Sequence, residues 1–338
     1  MTARSIIACL LSLSPITSVS LAAEPVALER YHFQSALMGT KFQIVLYSDD
    51  AGSAKKAADA AFELGQKVED ACSDYDPRSE LMALMKPPAT QQVSPLLADV
   101  LSKSLAIAQE TDGGFDPTLG GHSWNWRRAR TRGKLPTAQA IAAAQAISGW
   151  RNLTIDAQGR VTKGLPGMKL DLGGIAKGYA ADLMLEELKR RGIRIATVAA
   201  GGDVRLGDPP PGQQGWRVGL KTLGSEPAKA RAFIIVSNCA VSTSGDLHQF
   251  SVIDGKRYSH IVDPATGLGL TQRISATVVA PTATRSDALA TASCVSDRFR
   301  ALLLANKRAE KALIITLDKA GRPQQRRSAD FPNIHTAP

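Results

Sequence analysis

Cysteine is scarce in this chain, with four in 338 residues, none in a Cys-x-x-Cys pair and none at a zinc-type spacing. That excludes a thioredoxin-like redox motif and the common zinc modules. Setting aside Cys9 in the N-terminal apolar run leaves Cys72, Cys239 and Cys294, an odd number. Cys239 in "FIIVSNCAVS" and Cys294 in "LATASCVS" fall among apolar neighbours, so they read as buried free thiols, and no structural disulfide is expected. The chain also lacks a Gly-x-Ser-x-Gly elbow and a His-Glu-x-x-His helix, which removes the usual serine-hydrolase and zincin readings. It has neither a Walker loop nor Gly-x-Gly-x-x-Gly, so neither common nucleotide motif is present. Acidic residues are outnumbered, 31 against 41 basic, for a net charge of +10. The basic runs at 127–134, 189–194 and 322–327 are not interleaved with stacking aromatics. They read as solvated faces, and no nucleic-acid partner is expected. Internal repeats and long linkers are absent as well.

What is present begins at the N-terminus. Arg4, the apolar run "IIACLLSLSPI" and the small residues Ser20 and Ala22 have the three parts of a secretory signal peptide, cleaved before Ala23. The run is too short and too rich in serine to span a membrane. Residues 1–22 are therefore read as a signal peptide and 23–338 as one mature domain in the periplasm, with a flexible tail from about Asp330. Cys9 sits too early in the run for lipidation, so no lipid anchor is expected.

Strand patterns occur at "KFQIVLYS", "NLTID", "GMKLDL", "IATVAA", "WRVGLKT", "AFIIVS", "HQFSVID" and "ISATVVAP". Helical periodicity runs through "AKKAADAAFELGQKVEDACS", "SPLLADVLSKSLAIAQETDG", "TAQAIAAAQAI", "IAKGYAADLMLEELKRRG" and "SDALATASCV". The strands cluster in consecutive runs and do not alternate with helices, which makes the fold α+β. "PPPGQQG" at 209–215 reads as a surface loop between strands.

Three stretches carry chemistry. "LDLGGIAKG" joins an apolar run to a long helix through Asp171, Gly173 and Gly174, a turn whose free N–H groups suit an anion, with Lys177 adding positive charge. The same glycines also suit a plain tight turn. In "TRSDALATA", Ser286 is read as a helix cap, with Asp287 in the first turn and Thr291 four residues on. That spacing puts two hard oxygen donors on one helix face, as Mg²⁺ prefers, although an acidic residue near a helix start and a core threonine would look alike. "SHIVDPATG" places His260 at a strand end before a turn made by Asp263, Pro264 and Gly267, where it can be a general base or a structural histidine.

In order and wording these stretches, with "MGTKFQIVLY", "CSDYDPRSEL", "GGFDPTLG", "VAAGGDVRLGD", "WRVGL" and "VSTSGD", resemble the ApbE family of FAD:protein FMN transferases over nearly the whole mature chain. The resemblance implies a T-fold-like architecture of mostly antiparallel sheets packed with helices, in two intimately associated lobes. It implies Mg²⁺-dependent transfer of FMN from FAD to a Thr or Ser hydroxyl of an acceptor protein, with release of AMP. By position in the motifs, Asp287, Thr291 and the Gly174 carbonyl correspond to Mg²⁺ ligands. Met38, Tyr75, Gly114, Phe115, Asp116, Asp171, Lys177 and Ile261 correspond to residues around FAD, with Tyr75 facing the flavin ring, and His260 to the base. The implied acceptor is a flavoprotein subunit of a membrane redox complex bearing a Ser/Thr-Gly-Ala-Thr/Ser-like site. The pattern departs from the family after "FDPTLG", where an apolar Pro-Leu stretch is usual and this chain reads "GHSWNWRRARTRG". Arg127, Arg128 and Arg130 are expected there to steer an acidic acceptor while leaving FAD affinity alone. The same residues would also serve a Mg²⁺-dependent FAD pyrophosphatase or a non-catalytic flavin-binding protein.

Overall fold

The computed structural model describes residues 27–220, 223, 232–246 and 249–336. The signal-peptide reading for 1–22, and Cys9 with it, lies outside the described residues. The chain opens with β1 (Glu29–Leu37), β2 (Thr40–Ser48), α1 (Ala51–Cys72), α2 (Glu80–Leu84), β3 (Thr90–Gln92) and α3 (Pro95–Glu110). Next come α4 (Gly120–Arg132), α5 (Ala138–Ala146), β4 (Leu153–Ile155), β5 (Arg160–Lys163) and α6 (Ala176–Arg190). Strands then dominate: β6 (Ala196–Ala200), β7 (Asp203–Leu206), β8 (Trp216–Leu220), β9 (Ala232–Val236), β10 (Ala240–Gly245), β11 (Phe250–Ile253), β12 (Lys256–Ser259) and β13 (Ile274–Ala280). The end of the chain is α7 (Ala283–Val295), α8 (Asp297–Leu304), β14 (Lys311–Leu317), β15 (Pro323–Arg327) and β16 (His335–Thr336).

An eight-stranded antiparallel sheet in the order β1-β2-β6-β7-β10-β13-β14-β15 organises the molecule. The period-2 alternation along its strands sorts side chains into two cores. Phe42, Ile44, Leu46, Val198, Ala276, Val278 and Ile314 face α1, α3, α6 and α7. Their neighbours Val45, Val279, Leu313 and Ile315 face the other way, onto the small sheet β16-β9-β8 with Trp216, Val218 and Ile234. Helices on one face and a small sheet on the other give the α+β fold expected from the sequence. Caps fix the helix starts: Asp50 accepts from Ser53 N at the head of α1, and Ser94, Thr137 and Thr282 do the same for α3, α5 and α7.

Four local expectations fail. Helix α7 starts four residues earlier than read, capped by Thr282, and Ser286 is buried inside it with its hydroxyl 2.7 Å from that of Ser242. Asp287 therefore lies in the second turn. "GMKLDL" is apolar but forms no ladder strand, because its partners belong to the chain entering α4: Gly120 N–H donates to Lys169 O and Asp171 N–H to Pro117 O. Gly120 is needed for that approach, since a Cβ would sit 2.7 Å from the backbone of Leu170. The tail is tied down, not frayed, by buried Phe331 and by β16 pairing with β9. Cys239 is only half-buried, whereas Cys72 and Cys294 are buried; all three are free thiols, and burial pushes them up to about 11, 12 and 12 respectively.

Candidate active site

The ends of β1, α1, α6, β6, β10 and α7 meet the loop after β12 around one cleft of about 1450 Å³. Every residue assigned from the sequence to the metal, the FAD or the base lines it. Met38 comes from the β1–β2 turn, Tyr75 from beyond α1, and Gly114, Phe115 and Asp116 from the loop before α4. Asp171, Gly174 and Lys177 come from the start of α6, His260 and Ile261 from the loop after β12, and Asp287 and Thr291 from α7.

One wall is built where α6 crosses α7. A Cβ on Gly178 would stand 2.2 Å from Ala283 O, so only glycine lets the helices meet this closely. The crossing sets Asp287 against the start of α6, where its Oδ2 accepts from Gly178 N at 3.2 Å and lies 3.6 Å from Lys177 Nζ. Lys177 also donates to Gly173 O at 2.8 Å and reaches Asp203 Oδ2 at 3.8 Å. Burial opposes its charge, but Asp287 and Asp203 outweigh burial and hold the ammonium above the usual lysine range. It is an anchored charge, held by these partners. Asp203 is buried beside Asp287, and desolvation followed by that like charge pushes its carboxyl up to about 7. The sequence reading missed it; its only signal was the Gly-Gly-Asp turn entering β7. Thr291 Oγ1 lies 3.1 Å from Ser244 Oγ and packs against Gly174, where a Cβ would stand 3.4 Å from that oxygen and from the Phe115 ring. Two buried carboxylates face one ammonium here, among a threonine hydroxyl and a glycine backbone. This set of hard oxygens with an excess negative charge fits a small divalent cation.

The opposite wall is α4. Its residues Trp126, Arg127 and Arg130 line the cleft. Arg127 is ion-paired to Asp74 at 2.6 Å and to Asp171 at 3.3 Å, and its guanidinium lies 4.0 Å from the Tyr75 ring centroid. It therefore belongs to the cleft wall, contrary to the expectation that all three arginines point to an acceptor. Tyr75 is 75% exposed, so the ring face away from Arg127 is open. Asp171 has a second task, accepting from Gly173 N at 2.7 Å to shape the glycine turn. Asp116 lines the cleft, but its carboxylate is spent on Thr118 and the Trp150 N–H, so its role is to fold the loop carrying Phe115.

His260 sits just past β12, and its N–H and Nδ1 are both 3.1 Å from Gln249 O. A carbonyl can only accept, so Nδ1 carries the proton and the lone pair of Nε2 is free. Desolvation depresses the imidazole pKa; the Gln249 hydrogen bond opposes this, while Arg130 and Lys177 add to the depression. The following turn closes as the sequence suggests, with Gly267 N–H donating to Asp263 O at 2.8 Å. Helix α4 supports it: Trp126 Nε1–H donates to Ser259 O at 3.0 Å, and fully buried His122 fills the space beside Gly267. The segment 122–132 is thus a helix under the His260 loop. Its near-absence of apolar periodicity hid it from the sequence reading.

The ApbE family model matches residues 38–315. The chain is 28% identical over 293 residues to the FAD:protein FMN transferase of Vibrio cholerae serotype O1, covering 85% of this chain and 87% of that protein. It is 31% identical over 288 residues to the FAD:protein FMN transferase of Treponema pallidum, covering 78% of each. Among solved structures, the flavin transferase ApbE of Vibrio cholerae superimposes with a TM-score of 0.79 at 28% identity over 90% of this chain and 99% of that one. The ApbE protein of Thermotoga maritima superimposes with a TM-score of 0.77 at 31% identity over 88% and 97%. Sequence and fold agree over most of the chain's length, and the chain belongs to the ApbE family.

Proposed function

We propose that this protein is an FAD:protein FMN transferase, joining FMN through a phosphoester to a Thr or Ser hydroxyl of an acceptor protein. The observation that carries the reading is one cleft holding an oxygen-donor cluster with an anchored lysine on one wall and a histidine with a free Nε2 at its rim. A pyrophosphate needs positive charge and oriented donors, and the α6 turn with Lys177 supplies both. Asp287, Thr291 and the Gly174 carbonyl would hold Mg²⁺, which when bound neutralises charge on the pyrophosphate. Tyr75 offers its open face to the isoalloxazine ring, and Arg127 keeps that ring of Tyr75 in place. His260 Nε2 takes the proton as the acceptor oxygen attacks the FMN-side phosphorus. The bond from that phosphorus to the AMP-side oxygen breaks, and AMP leaves. We place the mature enzyme in the periplasm on its three-part N-terminal signal, facing acceptor subunits of membrane redox complexes.

The test is product analysis with FAD, Mg²⁺ and an acceptor domain bearing a Ser/Thr-Gly-Ala-Thr/Ser site. Flavin fluorescence that stays on the denatured acceptor, with equimolar AMP, is expected. Free FMN with AMP would mark a pyrophosphatase, and unchanged FAD a flavin-binding protein.

Two further outcomes follow from α4. Arg127→Lys keeps the charge but loses the planar fork and the stack on Tyr75, so the Kd for FAD should rise roughly tenfold with acceptor KM unchanged. A change in acceptor KM alone would return Arg127 to the acceptor side. Trp126→Phe keeps an aromatic ring in the core but loses the N–H that holds Ser259 O and leaves a small cavity where the indole's second ring packed. With that buried carbonyl unpaired, kcat should fall roughly tenfold while FAD affinity and acceptor KM stay put. Equal losses in binding and turnover would make Trp126 a packing residue only.

A further inference from the structure

Five large hydrophobic side chains stand exposed among the described residues: Leu28, Tyr75, Ile235, Phe250 and Val252. One of the five belongs to the cleft and two lie on the strand that leaves it. Tyr75 lines the cleft, and Phe250 and Val252 lie on β11, the strand that follows Gln249, itself a cleft residue and the partner of His260. The two-stranded sheet β11–β12 pairs Phe250 with Ser259 and Val252 with Arg257. Alternation turns Ile253 inward, to the cluster with Trp126 and Tyr258, and turns Phe250 and Val252 outward, 41% and 60% exposed. On that face the Arg257 guanidinium, ion-paired to Asp246, lies over one side of the Phe250 ring, and Val252 beside it is left open to water. The donor does not need that face, because the groups that suit FAD lie deeper, between α4 and α6. Among the described residues β11 pairs with β12 alone, so its far side is a free edge. Two exposed cations flank it, Lys256 on the paired strand and Arg130 on the cleft wall near His260.

We propose that the outer face and free edge of β11 form the docking surface for the acceptor protein, taking an extended acceptor segment as an added strand. The inference rests on the transferase reading, which requires a polypeptide hydroxyl to arrive at His260. Gln249, at the start of β11, lines the cleft and faces His260 across the β12 side, so a segment laid along the free edge of β11 leads past Gln249 into the cleft, where the chain continuing from it brings its hydroxyl to Nε2. Phe250 and Val252 contact apolar side chains flanking the hydroxyl, and the two cations favour acidic residues farther out. Acceptor choice is then set on the hairpin and donor choice in the cleft, by different residues.

The experiment uses the mature enzyme and a carrier protein with an appended segment, a Ser/Thr-Gly-Ala-Thr/Ser site flanked by Val and Leu and then by Asp and Glu. For Phe250→Ser/Val252→Ser, the KM for the carrier should rise roughly tenfold, the scale for removing exposed apolar anchors from a small interface. FAD affinity and kcat should stay within about twofold. An unchanged KM would overturn the docking surface, as would a KM that rises only in step with lost FAD affinity. Should the double variant lose FAD binding by misfolding, Val252→Asp decides, since that position is open to water and the new charge repels the acidic flanks. Its KM must rise more at low than at high salt, and an unchanged KM overturns the proposal. No labelling of the carrier by the unsubstituted enzyme would instead sink the transferase reading, leaving FAD returned or hydrolysed as the sign.

Discussion

Asp287→Ala should cut FMN transfer by at least ~10³-fold, because a metal ligand at a pyrophosphate contributes several kcal/mol to the transition state and each 1.36 kcal/mol is about tenfold in rate. The structure changes the reason such a variant can still fold. Asp287 is buried, not at an accessible helix start, and its neighbours include a second carboxylate. Removing it lets Lys177 keep Asp203 as a partner and relieves the repulsion between the two acids, at the loss of one hydrogen bond from Gly178 N. Asp287→Asn restores an acceptor for that N–H while removing the charge, and it should be as inactive as the alanine variant. Circular dichroism and thermal unfolding of both should match the unsubstituted protein within the effect of one hydrogen bond. The metal reading is overturned by turnover surviving in either variant, or by undiminished turnover of the unsubstituted enzyme in excess EDTA.

How much of this site the sequence discloses depends on whether a relation is local. Asp287 and Thr291 are four apart on one helix, so their shared face is legible without a structure. The turn after His260 is equally legible, from Asp263, Pro264 and Gly267. Strands β2 and β13 are read correctly because β2 alternates buried and half-buried positions and β13 is an almost unbroken run of apolar or β-branched residues. Strand β1 is an edge whose "ERYHFQSAL" is too polar to register, and β15 is exposed throughout. The pairing of Lys177 with Asp203 is invisible in one dimension, since it exists only because Gly178 lets two helices cross and β7 begins beside them. The same holds for Arg127: its basic neighbours suggest a solvated face, and only the fold brings Asp74, Asp171 and Tyr75 to it. The helix that carries it was unreadable for a physical reason. Its buried side is one tryptophan, one histidine and an alanine, too few apolar groups to mark a period.

His260→Ala should leave FAD and Mg²⁺ binding intact and slow transfer at least ~10²-fold, the usual scale for losing a general base. The geometry separates this effect from binding. The imidazole is held by a single carbonyl at the rim, with no polar contact to the oxygen cluster or to the Lys177 turn, so its removal opens space and deprives no donor group of a partner. It also sets the pH dependence. The base works only as the neutral ring, and burial with Arg130 and Lys177 nearby moves its pKa below the ordinary histidine value of 6.5. For such a group the neutral form is complete at neutral pH and is lost as pH falls through the depressed pKa. kcat should therefore be flat above pH 7 and fall with a slope of one proton somewhere below pH 6.5, while the alanine variant loses that limb. Gln249 adds a control, because it acts through its backbone carbonyl: Gln249→Ala should keep the limb in place. Loss of FAD affinity in step with the rate of His260→Ala would make His260 a binding residue. A limb that persists in the alanine variant would assign the titration to another group.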